Sequence, residues 1–316
     1  MIRVAIVGAA GYAGGEMIRL LLAHPEVGED NIVLVSASHA GEPVWRAHPD
    51  LEGLTNLEFL AAVPNNVDCV VLCLAHGASA EWMKKNTLSA TTKVIDIGND
   101  HRIASADHPF VYGLPEANRD IIRGASHVAN PGCFATAIQL ALLPIVDALR
   151  ADAPVVVHAI TGSTGAGQAP SNTTHYSWRA NNVSVYKVFE HQHEPEIRQT
   201  LGDIHLHFVP LRGPFARGIH ASVVLPDSGL RQVRSMFAEF YATHPFVHVG
   251  TEVPDMKLVV GTNTCRIGIV ENGGALLVVS VIDNLGKGAA GQAIQNMNLM
   301  FGFAEQHGLH RTSIAY

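Results

Sequence analysis

Val4-Ala5-Ile6-Val7-Gly8-Ala9-Ala10-Gly11-Tyr12-Ala13-Gly14 opens the chain with four apolar residues and three spaced glycines. A short continuous apolar run is what a strand covered on both faces requires. The next residues, Glu16-Met17-Ile18-Arg19-Leu20-Leu21-Leu22, have helical character. Strand, glycine loop and helix in this order let a pyrophosphate approach bare backbone at a helix N-terminus. The spacing is G-x-x-G-x-x-G rather than G-x-G-x-x-G, so the motif alone also fits a plain tight turn. Its place at the head of a strand–helix alternation favours dinucleotide binding through Gly8, Gly11 and Gly14.

Further apolar runs follow at Ile32–Val35, 69–74, 93–97 and His127–Ala129, with helical periods between them. This alternation predicts an α/β domain with a parallel, doubly wound sheet of Rossmann type. NAD-specific folds place an acidic residue roughly twenty positions after the glycines, where it bonds the ribose 2′-hydroxyl. Here the second strand ends in Ser36-Ala37-Ser38-His39, with no carboxylate until Glu42. Small hydroxyl residues accept a 2′-phosphate without charge repulsion, so NADP is the expected cofactor.

Beyond about residue 150 the texture changes. Strand-like runs at 155–160, 206–209 and Ile219–Leu225 precede a hairpin, in which 264–271 and 275–281 flank Asn272-Gly273-Gly274. Val233, Phe237, Phe240 and Tyr241 recur at helical spacing. A second, α+β domain with a largely antiparallel sheet is expected, followed by a helix over about 289–305. Between 162 and 186 the chain is rich in Gly, Ser, Thr and Asn; such long segments in compact domains are functional or disordered, and Trp178 with two tyrosines argues against disorder.

The 316 residues suffice for two domains, and 47% hydrophobic with 16% charged content suits a globular chain. A net charge of −7 without a basic run argues against nucleic acid or an anionic membrane as partner. No apolar stretch reaches a membrane span, and Met1-Ile2-Arg3-Val4 runs straight into a strand pattern, so the expected location is the cytoplasm. Reduced cysteines are expected there. Cys69, Cys73 and Cys265 sit in apolar runs and read as core residues. His191-x-His193 and His205-x-His207 have chelating spacing, but no third ligand completes a site, so no bound metal is expected.

Asn130-Pro131-Gly132-Cys133-Phe134-Ala135-Thr136 is different. A strand ends, Pro and Gly turn the chain, and a helical pattern begins at the thiol. Free N–H groups and the dipole of a helix N-terminus favour a thiolate, against the plain alternative of a structural cysteine. His191-Gln192-His193-Glu194-Pro195-Glu196-Ile197 offers a base with a carboxylate nearby, which a nucleophilic cysteine needs; two surface histidines at a helix start would be the plainer reading.

Together these segments resemble the N-acetyl-γ-glutamyl-phosphate reductases of arginine biosynthesis. So do Tyr112-Gly113-Leu114-Pro115-Glu116, Gly162-Ser163-Thr164-Gly165-Ala166-Gly167, Ala216-Arg217-Gly218-Ile219 and the run from Asp283 to Gln292, all in the family's order. The resemblance implies an NADP-binding domain over 1–132 completed by the C-terminal helix, 287–316, and a catalytic domain of semialdehyde-dehydrogenase type over 133–286. It implies NADPH-dependent reduction of an acyl phosphate to a semialdehyde through a thioester on Cys133. By motif, His191 matches the acid/base and Glu196 the carboxylate that orients it. Ala10, Tyr12, Ala13, Ser36, Ser38 and Asn284 match cofactor contacts, and Ser163 and Gly165 flank the site. Asn130, Arg102 and Arg217 are the candidate substrate contacts, the arginines for phosphate. A homo-oligomer, dimer or tetramer, is implied.

Three departures from the family pattern stand out. Phe134-Ala135 replaces Tyr-Pro, Ile97-Gly98-Asn99-Asp100-His101-Arg102 replaces the commoner Ser-x-Asp-Phe-Arg form, and Pro210-Leu211-Arg212 replaces Pro-His. The extra Arg212 leaves an N-succinyl substrate open beside N-acetyl. Aspartate-semialdehyde dehydrogenase shares the chemistry, and an NADP-binding redox-sensing regulator is the reading from another class.

Overall fold

Continuous apolar runs become the strands of a parallel sheet. The computed structural model describes residues 1–314 except 151, 227 and 228. They form two units, Met1–Pro131 with Ala289–His310, and Gly132–Gly288 with the tail from Arg311. In the first, β1 (Val4–Val7), β2 (Ile32–Val35), β3 (Phe59–Leu60), β4 (Cys69–Leu72), β5 (Lys93–Asp96), β6 (Val111–Tyr112) and β7 (His127–Ala129) pair in the order β3-β2-β1-β4-β5-β7-β6. Every pairing is parallel. All residues of β1, β2 and β4 are buried, as a sheet covered on both faces demands. Each such Val, Ile or Leu contributes about 1.5–3 kcal/mol.

The strand order turns around at β1. Val7 faces Val35 of β2 on one side and Leu72 of β4 on the other. The crevice beyond the carboxyl ends at such a switch point is where open α/β sheets bind ligands. Three helices, α1 (Tyr12–Leu21), α2 (Ala78–Lys85) and α3 (Pro115–Gly124), connect strands of this sheet. A returning helix, Gly291–Phe301, packs on α1, α3 and β5. It ends at Gly302, whose φ of +71° suits glycine.

The second unit contains α4 (Cys133–Leu142), β8 (Pro154–Thr161), α5 (Tyr176–Arg179), β9 (Ser184–Val185), α6 (Glu194–Leu201), β10 (His205–Arg212), β11 (Ile219–Leu225), α7 (Val233–Tyr241), β12 (Val247–Val249), β13 (Cys265–Asn272) and β14 (Ala275–Ile282). Its sheet runs β12-β13-β14-β11-β8-β10-β9. Four pairings are antiparallel, while β8–β10 and β12–β13 are parallel, so the sheet is mixed. Alternating burial along β8 and β11 turns one face inward, and α4 packs on β11 and β14. The β13–β14 hairpin turns through Gly273 and Gly274 with φ of +57° and +87°, the left-handed pair that Gly-Gly supplies. The 162–186 segment holds a 3₁₀ turn at Ser163–Ala166, then α5 and β9.

Residues 132, 287, 288 and 311–314 lie in the second unit, whereas the sequence predicts 1–132 and 287–316 for the first. The tail is held there by the Ile314 N–H, which donates to the Val260 carbonyl at 3.4 Å. Among the described residues, no helix is long and apolar enough to cross a membrane.

Candidate active site

The glycine loop is built by close approach of its own backbone. Gly8 has φ +84°, and a Cβ there would lie 2.4 Å from the Cys73 carbonyl oxygen. A Cβ on Gly14 would lie 2.6 Å from both the Gly8 oxygen and the Ala9 Cα. At Gly11 the same test meets nothing nearer than 3.5 Å, leaving bare backbone with room beside it. Gly11 is the extended N-cap of α1, makes no side-chain cap and is followed by no acid in the first turn. These are the conditions for an anion at a helix N-terminus. Ala10 and Ala13 lie within this turn, and Tyr12 is 41% exposed at its mouth. His48 buttresses the loop from behind, its Nε2 donating to the Ala9 carbonyl at 2.8 Å. Burial pushes the His48 pKa down, which keeps the ring neutral. No sequence pattern links residue 48 to the loop.

At the end of β2, the Ser36 and Ser38 hydroxyls lie 3.2 Å apart. The Ser38 hydroxyl is 2.9 Å from His39 Nδ1, and His39 packs on Phe59. His39 extends the candidate pair with a ring that protonation would make cationic, a residue the serine reading passed over. Cys69 and Cys73 are inert here: burial pushes Cys69 up to about 12 and Cys73 higher still.

Cys133 is the first residue of α4, with Gly132 as N-cap. Neighbouring side chains crowd this turn. A Cβ on Gly132 would lie 2.3 Å from His193 Nε2 and 2.6 Å from Glu196 Oε1, and one on Gly288 would lie 2.8 Å from the Cys133 Cβ. Only glycine lets these groups approach the thiol's turn. The Gly132 N–H donates to Glu196 Oε2 at 3.0 Å, and His193 Nε2 lies 3.9 Å from Glu196 Oε1.

The helical geometry explains that pairing. His193 stands at the N-cap position of α6, without a side-chain capping bond, and Glu196 lies three residues on, on the same face. Glu196 thus serves the Gly132 turn and His193, where the sequence reading paired it with His191. His191 is also buried, ringed by Phe134, Tyr186 and Phe208 at 5.4–5.6 Å between ring centroids. Its Nδ1 accepts the His193 backbone N–H at 3.2 Å. In a neutral ring that leaves the proton on Nε2. Tyr186 was not singled out by sequence. Its phenol is pushed up by burial and then by Cys133, with Arg212 opposing.

The remaining candidates divide differently. Asn130 is fully buried; its Nδ2 donates to the Ala289 carbonyl and its Oδ1 accepts from Asn296. It tethers the returning helix rather than facing a ligand. Arg102 donates Nε to the Asn130 carbonyl and Nη2 to that of Ile97, each at 2.9 Å. Arg217 pairs with Asp283 at 2.9 Å, and Asp283 also accepts from the backbone of Gly261, Leu285 and Gly286. Asn284 accepts the Gly218 N–H and donates to Thr164, clamping the Ser163–Ala166 turn. The Ser163 N–H donates to the Phe215 carbonyl, and a Cβ on Gly165 would meet the Thr161 hydroxyl at 3.3 Å and Asn284 Nδ2 at 4.0 Å. Among the described residues no three His, Cys, Asp or Glu side chains gather as metal ligands.

Residues 3–125 match the family described as semialdehyde dehydrogenase, NAD binding domain, and residues 133–284 that described as semialdehyde dehydrogenase, dimerisation domain. Among solved structures, aspartate semialdehyde dehydrogenase II from Vibrio cholerae superposes with a TM-score of 0.76 at 20% identity, covering 96% of this chain and 98% of that one when complexed with ASA. Aspartate semialdehyde dehydrogenase with NADP from Candida albicans has a TM-score of 0.71 at 16% identity, over 95% and 98%. These share the fold. Curated relatives are much nearer in sequence. N-acetyl-gamma-glutamyl-phosphate reductase of Flavobacterium johnsoniae is 49% identical over 98% of both chains, and that of Bacteroides fragilis 47% over the full length of both. The chain belongs to the N-acetyl-γ-glutamyl-phosphate reductase family.

Proposed function

We propose that the protein reduces N-acetyl-γ-glutamyl phosphate to N-acetylglutamate 5-semialdehyde and phosphate, using NADPH, in arginine biosynthesis. The observation that carries this reading is the Cys133 turn: a thiol at the first position of α4, with Glu196 on the preceding N–H and His193 beside it. NADPH suits the first unit. The uncapped N-terminus of α1 would take its pyrophosphate, and Ser36, Ser38 and His39 would take the 2′-phosphate with no carboxylate to repel it. Bound NADPH supplies the hydride that brings the acyl group on Cys133 to the aldehyde level.

The protein's own groups do the rest. The Cys133 thiolate attacks the γ-carbonyl, and phosphate leaves, giving a thioester that accepts hydride more readily than a carboxylate. His191, with its proton on Nε2, donates to the oxygen of the thiohemiacetal. It takes that proton back as the carbon–sulfur bond breaks and the thiolate returns. Such general acid–base assistance is worth roughly 10²–10⁴-fold. Glu196 holds the Gly132 turn and thereby the direction of the thiol.

The reading includes a homo-oligomer in the cytoplasm. The exposed apolar side chains of Trp178, Val183, Val185 and Phe189, clustered along one segment, support self-association.

The test is to trap the thioester. Mixing enzyme with acyl phosphate in the absence of NADPH should give one acyl adduct on Cys133 by mass spectrometry, with matching phosphate release. Cys133→Ser should form no adduct and lose several orders of magnitude in rate. A variant that retains more than about a tenth of the activity would remove the covalent route.

A further inference from the structure

At one edge of the mixed sheet, two guanidinium groups have no acid among the described residues to balance them. Arg212 ends β10 opposite Ser184 of β9, and its guanidinium lies 4.5 Å from the centre of the Tyr186 ring. Arg179, the last residue of α5, is only 5% exposed. It clips the two strands together, Nη1 donating to the Arg212 carbonyl at 2.6 Å and Nη2 to the Ser184 hydroxyl at 3.0 Å. The Nε of each arginine is buried without an acceptor. Among the described residues, neither guanidinium has an Asp or Glu within ion-pair distance. Arginine does not discharge itself by losing its proton. Two cations, one buried and one half-buried, are thus left without a carboxylate among the described residues, a setting that favours an anion from elsewhere.

The surroundings indicate where that anion belongs. The Tyr186 ring under Arg212 packs 5.6 Å from the His191 ring, and burial and then Cys133 push its phenol up. The other arginines considered for the substrate are occupied, Arg217 by Asp283 and Arg102 by two carbonyls. We propose that Arg212, backed by Arg179, is an oxyanion subsite of the active site that takes a carboxylate or phosphate group of the substrate. The planar guanidinium fork fits either oxyanion with two parallel hydrogen bonds. Assigning the anion to a substrate group rests on the acyl-phosphate reading above.

Arg212→Met and Arg212→Lys test it in two ways. The first needs no turnover: protection of Cys133 from alkylation by iodoacetamide, titrated separately with inorganic phosphate and with glutarate. In the wild type one of the two anions should protect. Arg212→Met should raise its half-protecting concentration at least about tenfold, the worth of one charge-assisted hydrogen bond, and Arg212→Lys should recover part of the loss. Loss of phosphate protection assigns the leaving group; loss of glutarate protection assigns a substrate carboxylate. The second readout is the reverse reaction, in which the KM of phosphate, where phosphate protects, or of the semialdehyde, where glutarate protects, should rise with little change in kcat. Equal protection in wild type and Arg212→Met, or no protection in the wild type by either anion, overturns the subsite. Failure of the wild type to oxidise N-acetylglutamate semialdehyde with phosphate would overturn the acyl-phosphate reading, while the alkylation result still judges Arg212. If Arg212→Met does not fold, Arg212→Gln carries the same comparison.

Discussion

The Glu196 carboxylate accepts the backbone N–H of Gly132 at 3.0 Å, across 64 residues of sequence, and so grips the residue immediately before Cys133. Its other oxygen faces His193. Glu196→Ala should leave a buried N–H unsatisfied, costing about 1–3 kcal/mol, and should also lower kcat by loosening the thiol. Glu196→Gln keeps an acceptor and should keep most of the stability while losing charge support for His193. Denaturant midpoints and kcat, measured on both variants, decide the matter. An alanine variant equal to wild type in both would show that the grip is dispensable.

The end of β2 makes a separate prediction about cofactor choice. Wild-type kcat/KM should favour NADPH over NADH. Ser38→Asp puts a carboxylate beside Ser36 and His39, where it would repel a 2′-phosphate and could bond a 2′-hydroxyl instead. Removing a charge-assisted hydrogen bond here costs about 1.5–3 kcal/mol, so the NADPH preference should fall roughly 10- to 150-fold. An unchanged ratio would mean that this strand end does not read the 2′ position.

How much of this was legible in advance follows from length and locality. The run Val4–Val7, the glycine loop and α1 could be read because the apolar strand, the punctuation and the helix are contiguous. The Asn272-Gly273-Gly274 hairpin was legible for the same reason. Two-residue strands such as β3 and β6 are too short to show a period. Helix α2 was hidden because only Ser79 is buried on it, so no apolar stripe marks it. The parallel β8–β10 pairing depends on which strands meet after α5, β9 and α6 intervene. At the site, Cys133 was visible from its own turn. The partner of Glu196, the His48 buttress and, among the described residues, the lack of an acid beside Arg212 exist only once distant segments have packed.

Histidine burial gives the fold a pH limit. Burial lowers the pKa of His24, His48, His127, His220 and His248 below the usual 6.5. Between each lowered value and 6.5 the unfolded chain binds more protons than the folded one, so stability must fall as the pH drops through 6.5. Thermal midpoints should be lower at pH 5.5 than at pH 7.5. His48→Ala should weaken NADPH binding, because the Ala9 carbonyl loses its donor, and should show a smaller acid loss than wild type. A midpoint that holds or rises on acidification would contradict the burial argument.

The last prediction separates two imidazoles whose ring centres lie 4.5 Å apart. His191 packs against Tyr186, whose phenol senses Cys133, and its Nδ1 is engaged by the His193 N–H. The proposed function assigns its Nε2 proton to the oxygen on the acylated thiol. His193 instead has Glu196 at 3.9 Å and crowds Gly132. His191→Asn should cut kcat by roughly 10²–10⁴-fold with NADPH affinity nearly unchanged. It should also remove the acidic group from the pH–rate profile. His193→Asn should cost less in kcat, since it disturbs the position of the thiol rather than the proton transfer, and should leave the pH profile in place. If His193→Asn is the more damaging and its profile loses the titration, proton transfer belongs to the imidazole beside Glu196, and the carboxylate becomes its orienting partner as well as the anchor of Gly132.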